Sequence, residues 1–281
     1  MNEGAGASAS RRITAGDAGS RIVAAPTAPV IDLTKFDACL FDLDGVITRT
    51  ATLHAAAWKR LFDEYLAAHV GEEFVPFDVE TDYRRYVDGK PRSAGVRSFL
   101  AARGIALPAG APADGADRDT VHGLGKRKNR YFLALLDREG VRIYASAVKF
   151  LREVRARGVR TAVVSSSRNC AAILRVARLT ALFDVRVDGV ELDRLGLPGK
   201  PAPDMFLEAA RRLGVAPVRG VVFEDATAGV EAARRGGFGL VVGVGVAEHA
   251  AGLLASGADV VVADLGQLRL EGRGNPMGAQ A

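Results

Sequence analysis

The stretch "CLFDLDGVIT" (Cys39 to Thr48) runs apolar residues straight into two aspartates one residue apart, followed by a glycine and a further apolar pair. In an extended segment, side chains two apart emerge on the same side. A buried strand ending in Asp42 and Asp44 therefore brings two carboxylates together at its carboxyl end, the place where open parallel sheets collect ligands. Two carboxylates in one site repel and raise a pKa unless a cation offsets them or one of them carries a proton for use as an acid. Taken alone, a D-x-D-G pattern is equally well a turn closed by Gly45, and the rest of the chain has to decide between these readings.

Further along, from about Tyr144, short apolar runs alternate with helix-forming sequence: "RTAVVSS", "FDVRVDG", "GVVFED", "GLVVGVG" and "ADVVVAD". Together with "FDACLFDLD" they predict about six strands in repeated βα units around a parallel sheet, an α/β class. Between the first of these strands and the second, "ATLHAAAWKRLFDEYLAAHV", "PRSAGVRSFLAARG" and "TVHGLGKRKNRYFLALLDREG" read as helices with no convincing strand, and "LPAGAPADGADRD" reads as a surface loop. The expected organisation is a tail over 1–30, a catalytic core from 31–50 and 143–272, an inserted helical domain over 51–142, and a C-terminal tail over 273–281.

Composition narrows the function classes. The 281 residues contain no apolar stretch near the roughly 20 residues a membrane span needs, and the first 29 lack the apolar core of a signal peptide. Arg11 and Arg12 form a twin-arginine pair followed by polar sequence, which argues against export. Cys39 and Cys170 have no CxxC spacing, so a reducing, cytoplasmic setting fits. The net charge of +5 comes from 38 basic residues spread among 33 acidic ones. Only "GKRKNR" (Gly125 to Arg130) is a basic cluster, so neither nucleic acid nor membrane is expected as a partner. The chain reads as a monomer acting on a small molecule.

Three later strand ends weigh on the opening ambiguity. "VVSSS" places Ser165, with Ser166 and Ser167 behind it, where a strand meets a helix start, and hydroxyls and backbone N–H groups there can hold phosphate oxygens. "PGKPAPD" brings Lys200, a point charge suited to a phosphate and a carboxylate at once. "VVFEDATAG" ends in Glu224 and Asp225, hard oxygen ligands of the kind Mg²⁺ prefers. Each is a common structural feature by itself; four in this order at strand ends form a coherent site for metal-dependent phosphoryl transfer.

With these motifs in hand, the chain resembles the haloacid dehalogenase-like superfamily of phosphotransferases. The resemblance implies a Rossmann-like parallel-sheet core with a helical cap inserted after the first strand. It also implies Asp42 as the nucleophile forming an aspartyl phosphate, Asp44 as general acid/base, Ser165 and Lys200 at the transferring phosphate, and Mg²⁺ held by the Asp42 carboxylate, the Asp44 backbone carbonyl and Asp225, with Glu224 in support. The stretches "FDLDGVIT", "LHAAAW", "GKPR", "KRKN", "SSSRN" and "GKPAPDMF" are, taken together, similar to the β-phosphoglucomutase subfamily, which interconverts β-glucose 1-phosphate and glucose 6-phosphate through a bisphosphate. That resemblance places His54 and Trp58 over the active site, assigns Arg92 with Ser166, Ser167, Arg168 and Asn169 to binding the substrate and its distal phosphate, and gives Lys128 the sugar.

Two positions depart from the pattern. Arg49 stands where many relatives carry an acidic residue, at the hinge into the cap, and Arg168 stands where a lysine is common. Two other readings stay open: a sugar-phosphate phosphatase on the same scaffold, and a catalytically idle regulatory protein that keeps the fold. The intact set Asp42, Asp44, Ser165, Lys200 and Asp225 argues against the second.

Overall fold

Apolar runs too short for helices and unrelieved by polar alternation become strands buried on both faces, as parallel sheets require. The computed structural model describes residues 12–13, 22–23, 28–71, 73–87 and 90–274. Its strands are β1 (Arg12–Ile13), β2 (Ile22–Val23), β3 (Val30–Asp32), β4 (Ala38–Phe41), β5 (Arg160–Val164), β6 (Val185–Val187), β7 (Gly220–Glu224), β8 (Leu240–Val244), β9 (Val260–Val262) and β10 (Arg269–Glu271). The helices are α1 (Ala51–Val70), α2 (Arg92–Ala102), α3 (Val121–Glu139), α4 (Ala145–Ala156), α5 (Cys170–Val176), α6 (Gly189–Leu195), α7 (Asp204–Leu213), α8 (Thr227–Arg235) and α9 (Ala247–Ala255).

Seven strands form a parallel sheet in the order β2-β9-β8-β7-β4-β5-β6. After the two-residue edge strand β2, the chain enters the middle of the sheet with β4, winds outward through β5 and β6, then crosses to β7 on the other side of β4 and winds out again. That reversal makes the carboxyl end of β4 a topological switch point, where a ligand crevice forms in doubly wound sheets. Packing is dense there: the Phe41 and Phe223 rings stack with centroids 4.6 Å apart, and Phe150 meets both edge-on.

The chain divides into two compact units: one comprises the residues up to Arg49 and from Arg142 onward, the other Thr50–Val141. The second is helical, formed by α1, a single π-helical turn at Tyr83–Val87, α2 and α3. Phe62 is the hub of its core, with Trp58, Phe77 and Phe99 at ring distances of 5.1, 5.3 and 4.1 Å. Thr120 caps α3 by accepting a hydrogen bond from Gly123 N at 3.0 Å, which explains why the helix begins at Val121.

The insertion follows β4, the fourth strand in chain order, because three very short strands precede it. Within 1–30, expected as a tail, β1 pairs with β3 and β2 with β9, while residues 1–11, 14–21 and 24–27 lie outside the described residues. Two-residue pairings add backbone hydrogen bonds to a sheet edge without any periodic pattern to announce them. At the other end, β10 also joins β3, and Arg273 donates Nε to the Leu33 carbonyl at 2.9 Å and pairs with Asp37, so the expected tail boundary at 273 gives way to a fastened residue. Residues 275–281 lie outside the described residues. No helix among the described residues is long and apolar enough to cross a membrane.

Candidate active site

Strand β4 ends at Phe41, yet Asp42 keeps the register by donating its backbone N–H to the Phe223 carbonyl at 2.9 Å. Its carboxylate is thereby fixed at the crest of the sheet, 6% exposed. The loop ahead of α7 returns Lys200 to the same point: Nζ donates to Asp42 Oδ1 at 2.5 Å, to Glu224 Oε2 at 2.8 Å and to the Val164 carbonyl at 3.3 Å. Three strands thus meet on one ammonium group, β4 through Asp42, β7 through Glu224 and β5 through Val164.

Asp225 completes the cluster. Carboxylate oxygens of Asp42, Glu224 and Asp225 lie within 4.8 Å of one another. The approach is close enough to exclude a side chain at position 45, where a Cβ would stand 1.8 Å from Asp225 Oδ2; Gly45 also has φ +91°, which favours glycine on its own account. Gly229 does the same for Glu224, whose Cδ would lie 2.1 Å from a Cβ there.

Three carboxylates against one ammonium leave negative charge in excess, and their protonation responds. Burial first, then the Asp42 charge, pushes Glu224 well above the ordinary carboxylate range, and the same two causes push Asp225 up to about 8. Lys200 is held above its usual value: its burial favours the neutral amine, and the Asp42 and Glu224 charges outweigh that effect. Such a hard-oxygen site short of positive charge fits Mg²⁺. Lys200 occupies Glu224 Oε2, and Oε1 faces the Ala226 N–H at 3.4 Å, so Asp42 and Asp225 are the carboxylates disposed to touch the ion directly and Glu224 to orient Lys200 beside it.

These shifts fix the sign of a pH effect. Glu224 and Asp225 bind protons more tightly folded than unfolded, so stability of the metal-free protein declines as pH rises from about 5 to 8. A cation replaces those protons. Added Mg²⁺ should therefore raise the melting temperature more at pH 8 than at pH 6 and release protons on binding, measurable by titration calorimetry in buffers of different ionisation enthalpy. Asp225→Asn should weaken the pH dependence and leave the share that Glu224 carries; an equal Mg²⁺ effect at both pH values would contradict this assignment.

Asp44 lies beyond the strand, half-buried in the loop 43–48, where the Thr48 hydroxyl is 3.5 Å from its Oδ1. Ser165, 1% exposed at the end of β5, accepts the Ser167 N–H at 3.1 Å, and Ser167 Oγ accepts the Asn169 N–H at 3.2 Å. The loop 165–169 is folded on itself and tied to α6 by Gly189 N donating to the Ser167 carbonyl at 3.2 Å. The Ser166 carbonyl would lie 2.5 Å from a Cβ at Gly189, and Arg168 forms an ion pair with Asp193.

The other expected substrate residues cluster within the helical unit. Lys128, 2% exposed, donates Nζ to His54 Nδ1 at 2.6 Å and sits over the rings of Trp58 and Phe132 at 5.0 and 5.2 Å. That bond requires His54 to be neutral with its proton on Nε2, and its pKa falls well below the usual value through burial, then the Lys128 and Arg92 charges. Trp58 stacks on Phe62 and abuts Gly95, a position in the core of the unit. Arg92 opens α2, half-buried. Thr48 and Gly229 went unremarked in the sequence, because their parts are played by backbone bonds and by close approach. Cys39 and Cys170 are free, buried thiols whose pKa values burial drives up.

Residues 36–237 match the haloacid dehalogenase-like hydrolase family. The chain is 51% identical over 240 residues to a beta-phosphoglucomutase of Mycobacterium bovis, covering 83% of this chain and 92% of the relative. It is 31% identical over 215 residues to a phosphorylated carbohydrates phosphatase of Thermotoga maritima, covering 74% and 85%. Among solved structures, beta-phosphoglucomutase from Clostridium difficile superposes with a TM-score of 0.62 at 27% identity, over 83% of this chain and 92% of that one.

Proposed function

The chain belongs to the haloacid dehalogenase-like hydrolase family and is β-phosphoglucomutase-like over most of its length, and from that premise we propose that it interconverts β-glucose 1-phosphate and glucose 6-phosphate through an aspartyl phosphate on Asp42. The observation that carries the chemistry is the single ammonium of Lys200 held between Asp42 and Glu224 with Asp225 alongside. Such an arrangement leaves a buried carboxylate oxygen to attack phosphorus and a cation to screen the charge on the phosphoryl oxygens. Asp42, Asp225 and the Asp44 carbonyl would hold Mg²⁺, which would supply further neutralisation of that charge.

In the forward direction phosphorylated Asp42 gives its phosphoryl group to the 6-hydroxyl of β-glucose 1-phosphate, and Asp44 takes the hydroxyl proton. The resulting bisphosphate exchanges ends. Asp42 then attacks the phosphorus at carbon 1, Asp44 returns the proton to the departing oxygen, and glucose 6-phosphate leaves the rephosphorylated enzyme. Ser165 and Lys200 hold the phosphate being transferred, while Arg92 with Ser166, Ser167, Arg168 and Asn169 holds the other. His54 and Lys128, backed by Trp58 from the core beneath them, contribute a preorganised wall for the sugar, since His54 is already committed to one tautomer by Lys128.

A phosphatase shares all of this except retention of the second phosphate, and the likeness to the Thermotoga maritima enzyme keeps that reading in play. Phosphorus NMR of β-glucose 1-phosphate with Mg²⁺ and a trace of bisphosphate separates the two by showing isomer and free phosphate side by side. Arg92→Ala should lower mutase efficiency about 10- to 100-fold, the loss of one charge-assisted phosphate contact of roughly 1.5–3 kcal/mol. Hydrolysis of acetyl phosphate, which has no distal phosphate, should change little. Equal losses in both assays, or free phosphate as the only product of the wild type, would favour the phosphatase.

A further inference from the structure

Asp44 lies in a loop outside the sheet, so something other than a strand has to hold it still. Its neighbours are fastened on both sides by residues 47 and 48. The Leu43 carbonyl accepts from Ile47 N at 3.0 Å, Thr48 N at 2.9 Å and Thr48 Oγ1 at 3.1 Å, and Gly45 N donates to the Thr48 carbonyl at 2.8 Å. Thr48 is fully buried.

Thr48 is itself the middle rung of a short antiparallel ladder. It bridges to Ile143, flanked by Tyr144 N donating to the Ile47 carbonyl at 3.0 Å and Arg49 N donating to the Arg142 carbonyl at 2.8 Å. Across this ladder the Arg49 guanidinium lies over the Tyr144 ring, 4.4 Å from its centroid. A cation on an aromatic face between two paired segments is a side-chain clasp that stabilises their register.

We propose that Thr48 is a positioning residue for Asp44, and that the Arg49–Tyr144 clasp holds the 47–49 and 142–144 segments in the register that Thr48 requires. This rests on the assignment of Asp44 as acid/base. Thr48 does not touch substrate; it sets where the Asp44 carboxylate and carbonyl stand. Its loss should affect turnover more than substrate affinity, because a small displacement of an acid/base group acts on the transition state.

The test measures isomerisation of β-glucose 1-phosphate with Mg²⁺ in the full-length protein. Thr48→Val, which keeps the shape and removes the hydroxyl, should lower kcat roughly tenfold with KM within about twofold, and Thr48→Ser should restore most of it. Arg49→Ala and Tyr144→Ala should each lower kcat by about two- to fivefold, the double variant no further than either alone, while Tyr144→Phe keeps the ring and the rate. These two side chains lie at the protein surface or half-exposed, so their variants stay folded even where Thr48→Val is destabilised. Unchanged kcat in Thr48→Val, a raised KM with unchanged kcat, or additive losses at Arg49 and Tyr144 would overturn the inference. Asp44→Asn serves as the reference: wild-type turnover in that variant sinks the acid/base assignment and this inference with it, whereas a loss there with none in Thr48→Val sinks this inference alone.

Discussion

Asp42→Asn should show no isomerisation and no hydrolysis above the uncatalysed background, on the order of a 10⁶-fold loss, the scale seen when a covalent nucleophile is removed. The amide is nearly the same size, and its oxygen can still accept from Lys200, but it has no charge and does not attack phosphorus. The same change should leave the fold intact or firmer. Asp42 is the strongest neighbouring charge raising both Glu224 and Asp225, so its neutralisation lets those two carboxylates ionise with less conflict inside the protein. We expect a metal-free melting temperature at pH 8 equal to or above that of the wild type, together with a weakened response to Mg²⁺. A dead variant that is also unfolded would leave Asp42 as a structural residue; turnover within a hundredfold of wild type would remove it as the nucleophile.

The parts of this protein that could be read in advance are those where local sequence and tertiary role coincide. Strand β4 is buried on both faces and therefore unbrokenly apolar, and the change to aspartate at position 42 marks the point where the chain leaves the sheet. Glu224 ends β7 in the same way and Asp225 follows it; Ser165 follows β5. Three strand ends bearing polar groups in a parallel sheet have to lie near one another, so their convergence was legible from order alone. Lys200 was harder, since the loop that carries it is fixed by nothing in the sequence except its company of prolines.

Other features depend on partners far apart in the chain. The bond from Lys128 to His54 spans 74 residues, and no spacing rule announces it. Trp58 and Phe62 repeat at helical spacing, which serves a core and a ligand wall equally well, and the ring stack with Phe62 places Trp58 in the core of its unit. Strands β3 and β10 have three residues each and pair only with one another and with β1, so their apolar content is too small to stand out from a loop. Thr48 looks like one more β-branched residue in an apolar run; its function is carried by its amide, carbonyl and hydroxyl acting on Leu43 and Gly45.

Lys200→Met should cause the largest loss of stability of any single change in the site. The lysine side chain is only 8% exposed, its ammonium lies 2.5 Å from Asp42 and 2.8 Å from Glu224, and it is the counter-ion both share. Breaking a buried ion pair by deleting one partner costs roughly 3–5 kcal/mol, because the remaining charge has neither water nor a partner. Methionine fills much of the same volume, so the loss is electrostatic and not a cavity effect. The pH dependence identifies it as such. Without the lysine, whose charge opposes their upward shift, Glu224 and Asp225 bind protons more strongly in the folded state, which extends the range over which folding takes up protons. Metal-free Lys200→Met should therefore regain a large share of its lost stability between pH 8 and pH 5.5, by a steeper slope than the wild type shows. Mg²⁺ should restore part of it at pH 8 by supplying positive charge to the same carboxylates, without restoring turnover, since the transferring phosphate still lacks its ammonium contact. Chemical denaturation at the two pH values, with and without Mg²⁺, measures all three effects, and a stability deficit that is the same at pH 5.5 and pH 8 would show that Lys200 contributes through packing and not through charge.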